Sequence, residues 1–134
     1  MSKFAIYYNN KTYTPLVVNM EYMFYYCSKL QTLTLSNNFV TLKVEKMNHM
    51  FSGCNILQSI DLSKFDTSKV ENMGYMFYGC SALLSLDLKN FNTPSLQNSE
   101  SMFEGCTQLE SIILSNFKSS KINSMDNIFK GCSN

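Results

Sequence analysis

The sequence has no arginine, no tryptophan and a single histidine in 134 residues. All eleven positive charges are therefore lysines, and with ten acidic residues the formal net charge is +1. Bidentate recognition of phosphate or guanine depends on the arginine guanidinium, and a nearly neutral chain has no strong field that attracts polyanions. The composition argues against nucleic-acid binding, and we expect no nucleic-acid partner.

Long apolar runs are also missing. The longest run near the start of the chain, FAIYY, stops at Asn9, whereas a signal peptide needs about 7 to 15 apolar residues. Nothing approaches the ~18 to 20 apolar residues of a membrane span. We therefore expect no membrane insertion and no signal peptide in this chain, and from the residues alone a cytoplasmic location stays open.

The cysteines are present at a fixed interval, and each closes a copy of the motif MFSGC or a looser version of it. They are Cys27, Cys54, Cys80, Cys106 and Cys132, separated by 27, 26, 26 and 26 residues. A fixed period of 20 to 50 residues indicates a repeat array. We expect one repeat domain over residues 1–134, with an N-terminal strand or cap in 1–14 and four to five 26-residue repeats in 15–134, the last one truncated.

Two periodicities alternate inside each repeat. The LxxLxL segments end in apolar alternation, which predicts a short strand; they are Leu30–Leu35, Leu57–Leu62, Leu83–Leu88 and Leu109–Leu114. The next segment has Met47, Met50, Phe51 and Cys54 at offsets 0, 3, 4 and 7, which predicts one face of a two-turn helix. Equivalent helices are expected from about Asn19–Tyr26 onward. The predicted fold is an α/β solenoid of leucine-rich-repeat type, with one short parallel strand and one short convex-side helix per 26-residue coil.

The repeat with the sequence LQSIDLSKFDTSKVENMGYMFYGCSA, residues 57–82, resembles BspA-like leucine-rich repeats, the bacterial surface protein 26-residue repeat family. The resemblance extends over roughly residues 15–134. It departs at Tyr26, at the extra residue Asn38, at Ser99 and at Ile113. It implies exposure on a cell surface or secretion, and adhesion to host matrix proteins or to other cells.

The regularly spaced cysteines could be metal ligands, disulfide partners or small buried residues. Zinc needs clustered ligands, which one cysteine per coil and one histidine do not supply. Disulfides between neighbouring coils are conceivable by distance, but stacked side chains point the same way. A free cysteine behaves as a small, buried apolar residue, so we expect a structural cysteine ladder, with no metal and no cofactor.

Catalytic chemistry finds no arrangement of residues to support it. His49 lies in a variable column that we expect to face solvent, away from most acids, so it is not expected to be a catalytic base. Asp61 and Asp87 are expected to lie outward on adjacent coils, where two carboxylates could share a cation. Whether they bind an ion stays open, and we expect no enzyme activity.

The outward positions of the strands form the predicted binding face. They are Thr32, Thr34, Ser36, Ser59, Asp61, Ser63, Ser85, Asp87, Lys89, Ser111, Ile113 and Ser115. Short hydroxyls and acids give a flat, hydrated strip suited to an extended protein partner. A second candidate is the tyrosine group Tyr22, Tyr25, Tyr75 and Tyr78, whose two pairs lie two coils apart and are not expected to form one patch.

The sequence therefore predicts a noncatalytic protein-binding repeat module, of the adhesin type that the resemblance implies. The alternative is a structural spacer that binds no ligand of its own. At the front, Ile6 and Tyr8 stand 27 residues before Leu33 and Leu35, which predicts a capping strand. At the back, the strand Leu109–Leu114 is expected to have an open edge through which the chain can self-associate.

Overall fold

The structure, a computed structural model, describes residues 3–6, 17–36, 39–118 and 120–133. Four short strands occur there: β1 (Lys3–Ile6), β2 (Thr32–Leu35), β3 (Ser85–Asp87) and β4 (Ser111–Ile113). They form two parallel pairs, β1 with β2 and β3 with β4. No helix occurs in these parts of the chain, and most described residues lie in turns and irregular segments.

The repeat units stack on one another in register. One column of parallel bridges runs through five units and joins Asn19, Lys46, Asn72, Asn98 and Ser124 in that order. We call the nine residues from each bridge residue to the following cysteine a turn segment; they are 19–27, 46–54, 72–80, 98–106 and 124–132. Each unit therefore contacts its neighbours at the same sequence positions.

The turn segments are not helical, so the predicted α/β solenoid with a helix in each coil is wrong. In the second unit, Met50 N donates to Met47 O at 3.3 Å and Cys54 N donates to Phe51 O at 3.1 Å. These bonds close two consecutive β-turns. Phe51 N donates to Met76 O of the next unit at 2.9 Å, whereas in a helix it would bond four residues back in its own segment.

Two features explain why turns replace the helix. Each turn segment holds two left-handed residues four apart, such as His49 at φ 55° and Gly53 at φ 75°, and a left-handed residue cannot continue a right-handed helix. A two-turn helix is also only marginally stable by itself. Two linked turns bury the same side chains that the predicted helix would bury, since Met47, Met50 and Phe51 are all fully buried.

The strands are shorter than expected, and one is absent. The predicted strand Leu57–Leu62 is not formed. This segment is joined to the preceding unit by the bond from Gln58 N to Gln31 O at 3.3 Å and to the following unit by the bond from Leu84 N to Gln58 O at 3.4 Å. Both distances are long for N–H to O bonds. At the front, β1 does form, but Ile6 pairs with Leu35 instead of Leu33. The predicted partner Tyr8 lies outside the described residues.

A column of phenylalanines runs through the core. Neighbouring rings from Phe24 to Phe129 are stacked, with centroids 5.2, 5.5, 5.9 and 5.3 Å apart. A second column, of buried threonines, also joins the units, since Thr41 Oγ1 donates to Asp66 O at 2.8 Å and Thr67 Oγ1 donates to Asn92 O at 3.0 Å. Equivalent side chains of successive described units therefore line the interior.

The cysteines form another column, and all five are free. Each of Cys54, Cys80 and Cys106 is buried and donates its thiol to the carbonyl oxygen of a phenylalanine in the preceding unit, at 3.1, 3.2 and 3.2 Å. Burial raises the pKa of Cys54 and of Cys106 to about 12, and it raises the pKa of Cys80 as well. Because the thiolate is the reactive form, a buried thiol with a raised pKa is expected to react slowly in the folded chain.

We expect Cys54, Cys80 and Cys106 to react slowly with a thiol reagent in the native protein and quickly after denaturation. Cys27 and Cys132 are half-buried, so they should be labelled first. Mass spectrometry of the labelled peptides gives the order of reaction. Rapid native labelling of all five cysteines, or zinc recovered with the purified protein, would contradict the buried column.

Candidate functional site

The predicted strand-side strip is exposed for most of its length. Ten of its twelve residues are exposed, and Thr32 and Ser36 are half-buried. Parallel pairing sets Ser85 beside Ser111 and Asp87 beside Ile113 on neighbouring units. The strip therefore presents mainly short polar side chains from adjacent units. Its one apolar residue is Ile113, in the last of the four units.

The two carboxylates of the strip are already engaged as hydrogen-bond acceptors. Asp61 Oδ1 accepts from Ser63 N at 2.9 Å, and Asp87 Oδ1 accepts from Lys89 N at the same distance. These backbone bonds lower the pKa of both carboxyl groups. Lys89 Nζ also lies 2.9 Å from Asp87 Oδ2. Both acids border a shallow depression of about 120 Å³, and both are ionised at neutral pH.

Aromatic side chains form a second surface, on the turn segments. The ring of His49 is stacked between the rings of Tyr22 and Tyr75, 4.8 Å from each, with interplanar angles of 8° and 5°. The expectation of two separate tyrosine pairs is therefore wrong, because the histidine fills the unit between them. His49 is half-buried, where we expected a solvent-facing residue, and its Nδ1 atom has no hydrogen-bond partner among the described residues.

The exposed tyrosines complete this surface. Tyr25 packs edge-on against Tyr22 at 5.2 Å, and Tyr78 lies 5.8 Å from Tyr75 between ring centroids. Tyr26, which is 60% exposed, packs edge-on against Tyr25 at 4.6 Å. We define the aromatic turn face as the six side chains that touch in this way: Tyr22, Tyr25, Tyr26, His49, Tyr75 and Tyr78.

Left-handed backbone positions the central stack. Tyr22, His49 and Tyr75 occupy the same position of successive turns, with φ between 55° and 59°. A non-glycine residue with positive φ is uncommon, and the identity of a single residue does not predict it. The signal that was available is the spacing, since these three residues each stand five positions before a cysteine.

Carboxylates border the aromatic turn face at both ends. At one end, Asn19 Nδ2 donates to Glu21 Oε2 at 2.6 Å, and this bond lowers the pKa of Glu21. At the other end, the Tyr75 hydroxyl donates to Glu100 Oε1 at 2.6 Å, which raises the pKa of Tyr75. Neither glutamate forms an ion pair with another described residue, whereas Glu104 is paired with Lys130 at 3.2 Å.

We expect His49 to make folding stability depend on pH between about 7 and 5. Burial lowers the pKa of His49 in the folded chain, while the unfolded chain takes up the proton near the ordinary value of about 6.5. The free energy of unfolding should therefore be highest above pH 6.5 and fall as the pH drops below it. Urea denaturation at several pH values measures this.

The control for this pH dependence is His49→Tyr, because the same position carries tyrosine in two other units. This variant keeps a three-ring stack and removes the only histidine. Its free energy of unfolding should fall much less between pH 7 and 5 than that of the wild-type chain. An equal fall in both proteins would assign the effect to other groups.

The outer edge of β4 has no strand partner among the described residues. Beside it lies an open depression of about 280 Å³ lined by Leu109, Ile112, Phe129 and Cys132, among others. Phe129 is 42% exposed, while Phe51, Phe77 and Phe103 in the same column are fully buried. This end of the stack therefore presents apolar side chains next to an open strand edge.

We expect the chain to self-associate through this edge, because an unpaired strand edge invites pairing with another chain. In sedimentation experiments at rising concentration, the average mass of the wild-type chain should increase. Ile113→Lys, which puts a charge on β4, should stay monomeric over the same range. If both proteins remain monomeric, the edge is not an association site.

Clusters of metal ligands and membrane-spanning helices are both missing from the described residues. No group of three or more His, Cys, Asp or Glu side chains there could hold a metal ion. None of the described segments forms a helix that could cross a membrane.

Residues 6–114 match the model of a family described as Mycoplasma protein of unknown function, DUF285. No curated protein and no solved structure matches the chain. The matched region takes in the first four turn segments and the aromatic turn face.

Proposed function

We propose that this chain, which belongs to the DUF285 family, is a noncatalytic protein-binding repeat module. The observation that carries the proposal is the strand-side strip. Its ten exposed residues come from four successive units, and neighbouring units contribute them at matching positions. A repeated, shallow and polar surface suits an extended protein ligand better than a small substrate.

The finer assignment concerns the kind of partner. The repeats resemble those of BspA-like bacterial surface proteins, and this resemblance supports an adhesin-type role for the module at a cell surface or after secretion. The partner would then be a host matrix protein or another cell-surface protein. The family match supports a repeat protein of this broad group and carries no functional description.

The size of the strip sets the expected affinity. Four units spaced about 4.8 Å apart, each with three outward residues, give a face of about 300 Å². A stable interface needs about 800 Å² from each partner. We therefore expect the chain alone to bind weakly, with fast dissociation.

The test is a binding screen of the chain against immobilised host matrix and cell-surface proteins. A strip variant with Ser59→Lys, Ser85→Lys and Ser111→Lys should lose binding to the protein that is captured. A control variant with Asn92→Lys and Gln97→Lys places lysines at exposed positions outside the strip and should bind like wild type. Equal binding by the strip variant would place the interface elsewhere.

The alternative is a structural spacer that has no ligand. The regular stacking of the units supports it, because each unit adds length with the same contacts. A spacer should capture no protein in the screen and should show no difference between strip and control variants.

A further inference from the structure

We propose that the aromatic turn face is a second binding surface, and that it takes an extended protein segment carrying two lysine or arginine side chains about four residues apart. The surface lies on the turn segments, while the strip lies on and beside β2, β3 and β4 and on the equivalent segment 59–63, so the two use different residues. The proposal goes beyond the proposed function by adding a second surface with its own ligand chemistry.

The first support is the exposure of large rings in one continuous patch. Tyr22, Tyr25, Tyr26 and Tyr78 are between 37% and 60% exposed, although each packs against another ring of the aromatic turn face. Tyrosine is enriched in protein interfaces, where its ring supplies apolar area and its hydroxyl supplies a hydrogen bond. Ring faces also attract lysine and arginine side chains through their π electrons.

The second support is the charge at the two ends of the patch. Glu21 and Glu100 form no ion pair with any described residue. Glu21 lies close enough to His49 to interact electrostatically with it, and Glu100 is held in place by the Tyr75 hydroxyl. Lys46 also helps to lower the pKa of Glu21, but neither carboxylate is held in an ion pair among the described residues. Two such carboxylates, separated by aromatic rings, complement a cationic ligand.

The spacing of these carboxylates defines the ligand. Neighbouring units are 4.8 Å apart at the stacked rings, and Glu21 and Glu100 lie in the first and fourth units. Three steps give a separation of roughly 14 Å, and an extended chain rises about 3.3 Å per residue. Two basic side chains four residues apart therefore span roughly 13 Å and reach both carboxylates.

The probe is an eleven-residue peptide of serine and threonine with lysine at its fourth and eighth positions. Titration into isotope-labelled protein, followed by NMR, should shift the resonances of His49 and of the surrounding tyrosines. The same peptide with glutamate in place of both lysines should cause no such shifts. Binding should also weaken as salt is added, because exposed charge pairs are screened.

Two variants separate charge from rings. Glu21→Gln with Glu100→Gln keeps every ring and should weaken peptide binding about tenfold. Tyr25→Ser with Tyr78→Ser keeps both carboxylates and should weaken it by a similar factor. The matched control, Asp61→Asn with Glu110→Gln, removes the same charge from the strand side and should bind the peptide like wild type.

Several outcomes would overturn the proposal. They are no binding of the lysine peptide, equal binding of the acidic peptide, unchanged affinity in the double glutamine variant, and shifts confined to the strip. If the double glutamine variant instead abolishes self-association in sedimentation, the occupant is a second copy of the chain and the proposal is wrong. Loss of the peptide site while the strip still binds a matrix protein would leave the proposed function intact.

Discussion

Phe77→Ala is expected to lower the free energy of unfolding by about 3 to 5 kcal/mol, the range for removing a buried aromatic side chain. Phe77 is fully buried and stacked between Phe51 and Phe103, at 5.5 and 5.9 Å. Each unit contacts only its neighbours, so the cavity would weaken both interfaces of the central unit. Urea denaturation followed by circular dichroism measures the loss.

The matched control is Phe129→Ala, in the same column at the end of the stack. Phe129 is 42% exposed and contacts a single ring of the column, Phe103, at 5.3 Å. Its replacement should cost about 1 kcal/mol, because most of the burial is missing. Equal losses for the two variants would show that the phenylalanine column does not carry the stability of the stack.

The period and the buried side chains could be predicted from the sequence, but the backbone of the turn segments could not. Offsets 0, 3, 4 and 7 assign Met47, Met50, Phe51 and Cys54 to the interior, and all four are fully buried. The same offsets fit a two-turn helix and a pair of linked β-turns. The turns are stabilised by hydrogen bonds between units, such as Phe51 N to Met76 O. The residue pattern within one unit does not predict these bonds.

The candidate surfaces, too, could be predicted from the sequence only in part. Alternation along the strands predicted outward positions, and Ser59, Asp61 and Ser85 are indeed exposed. The tyrosines alone do not predict the aromatic turn face as a single patch, because the ring of His49 is what joins Tyr22 to Tyr75. An aromatic column five positions before the cysteines was readable, but the left-handed backbone that stacks the rings was not.

Gly53→Ala is expected to lower the free energy of unfolding by about 2 to 3 kcal/mol. Gly53 has φ +75°, where a side chain costs about 1 kcal/mol. An added Cβ would also lie 2.9 Å from two ring carbons of Tyr26, so the ring must move off the position where it packs. Thermal or urea unfolding of the purified variant measures the sum of both effects.

In the first unit, Tyr26 occupies the position that glycine occupies in the other units. Its ring covers Gly53, while later units place glycine on glycine; a Cβ at Gly105 would meet the Cα of Gly79 at 3.5 Å, an ordinary contact. Gly105→Ala should therefore cost only the backbone term, about 1 kcal/mol. The difference between the two glycines isolates the contact with the ring.

A double-mutant cycle makes that contact measurable. Tyr26→Gly removes the ring and gives the first unit the residue that the other units carry, so Gly53→Ala in that background should cost about 1 kcal/mol, as Gly105→Ala does. The coupling between positions 26 and 53 should then be about 1 to 2 kcal/mol, within the range for residues in contact. Strict additivity would mean that the Tyr26 ring does not rest on Gly53 in solution. Tyr26 would then not be part of the aromatic turn face.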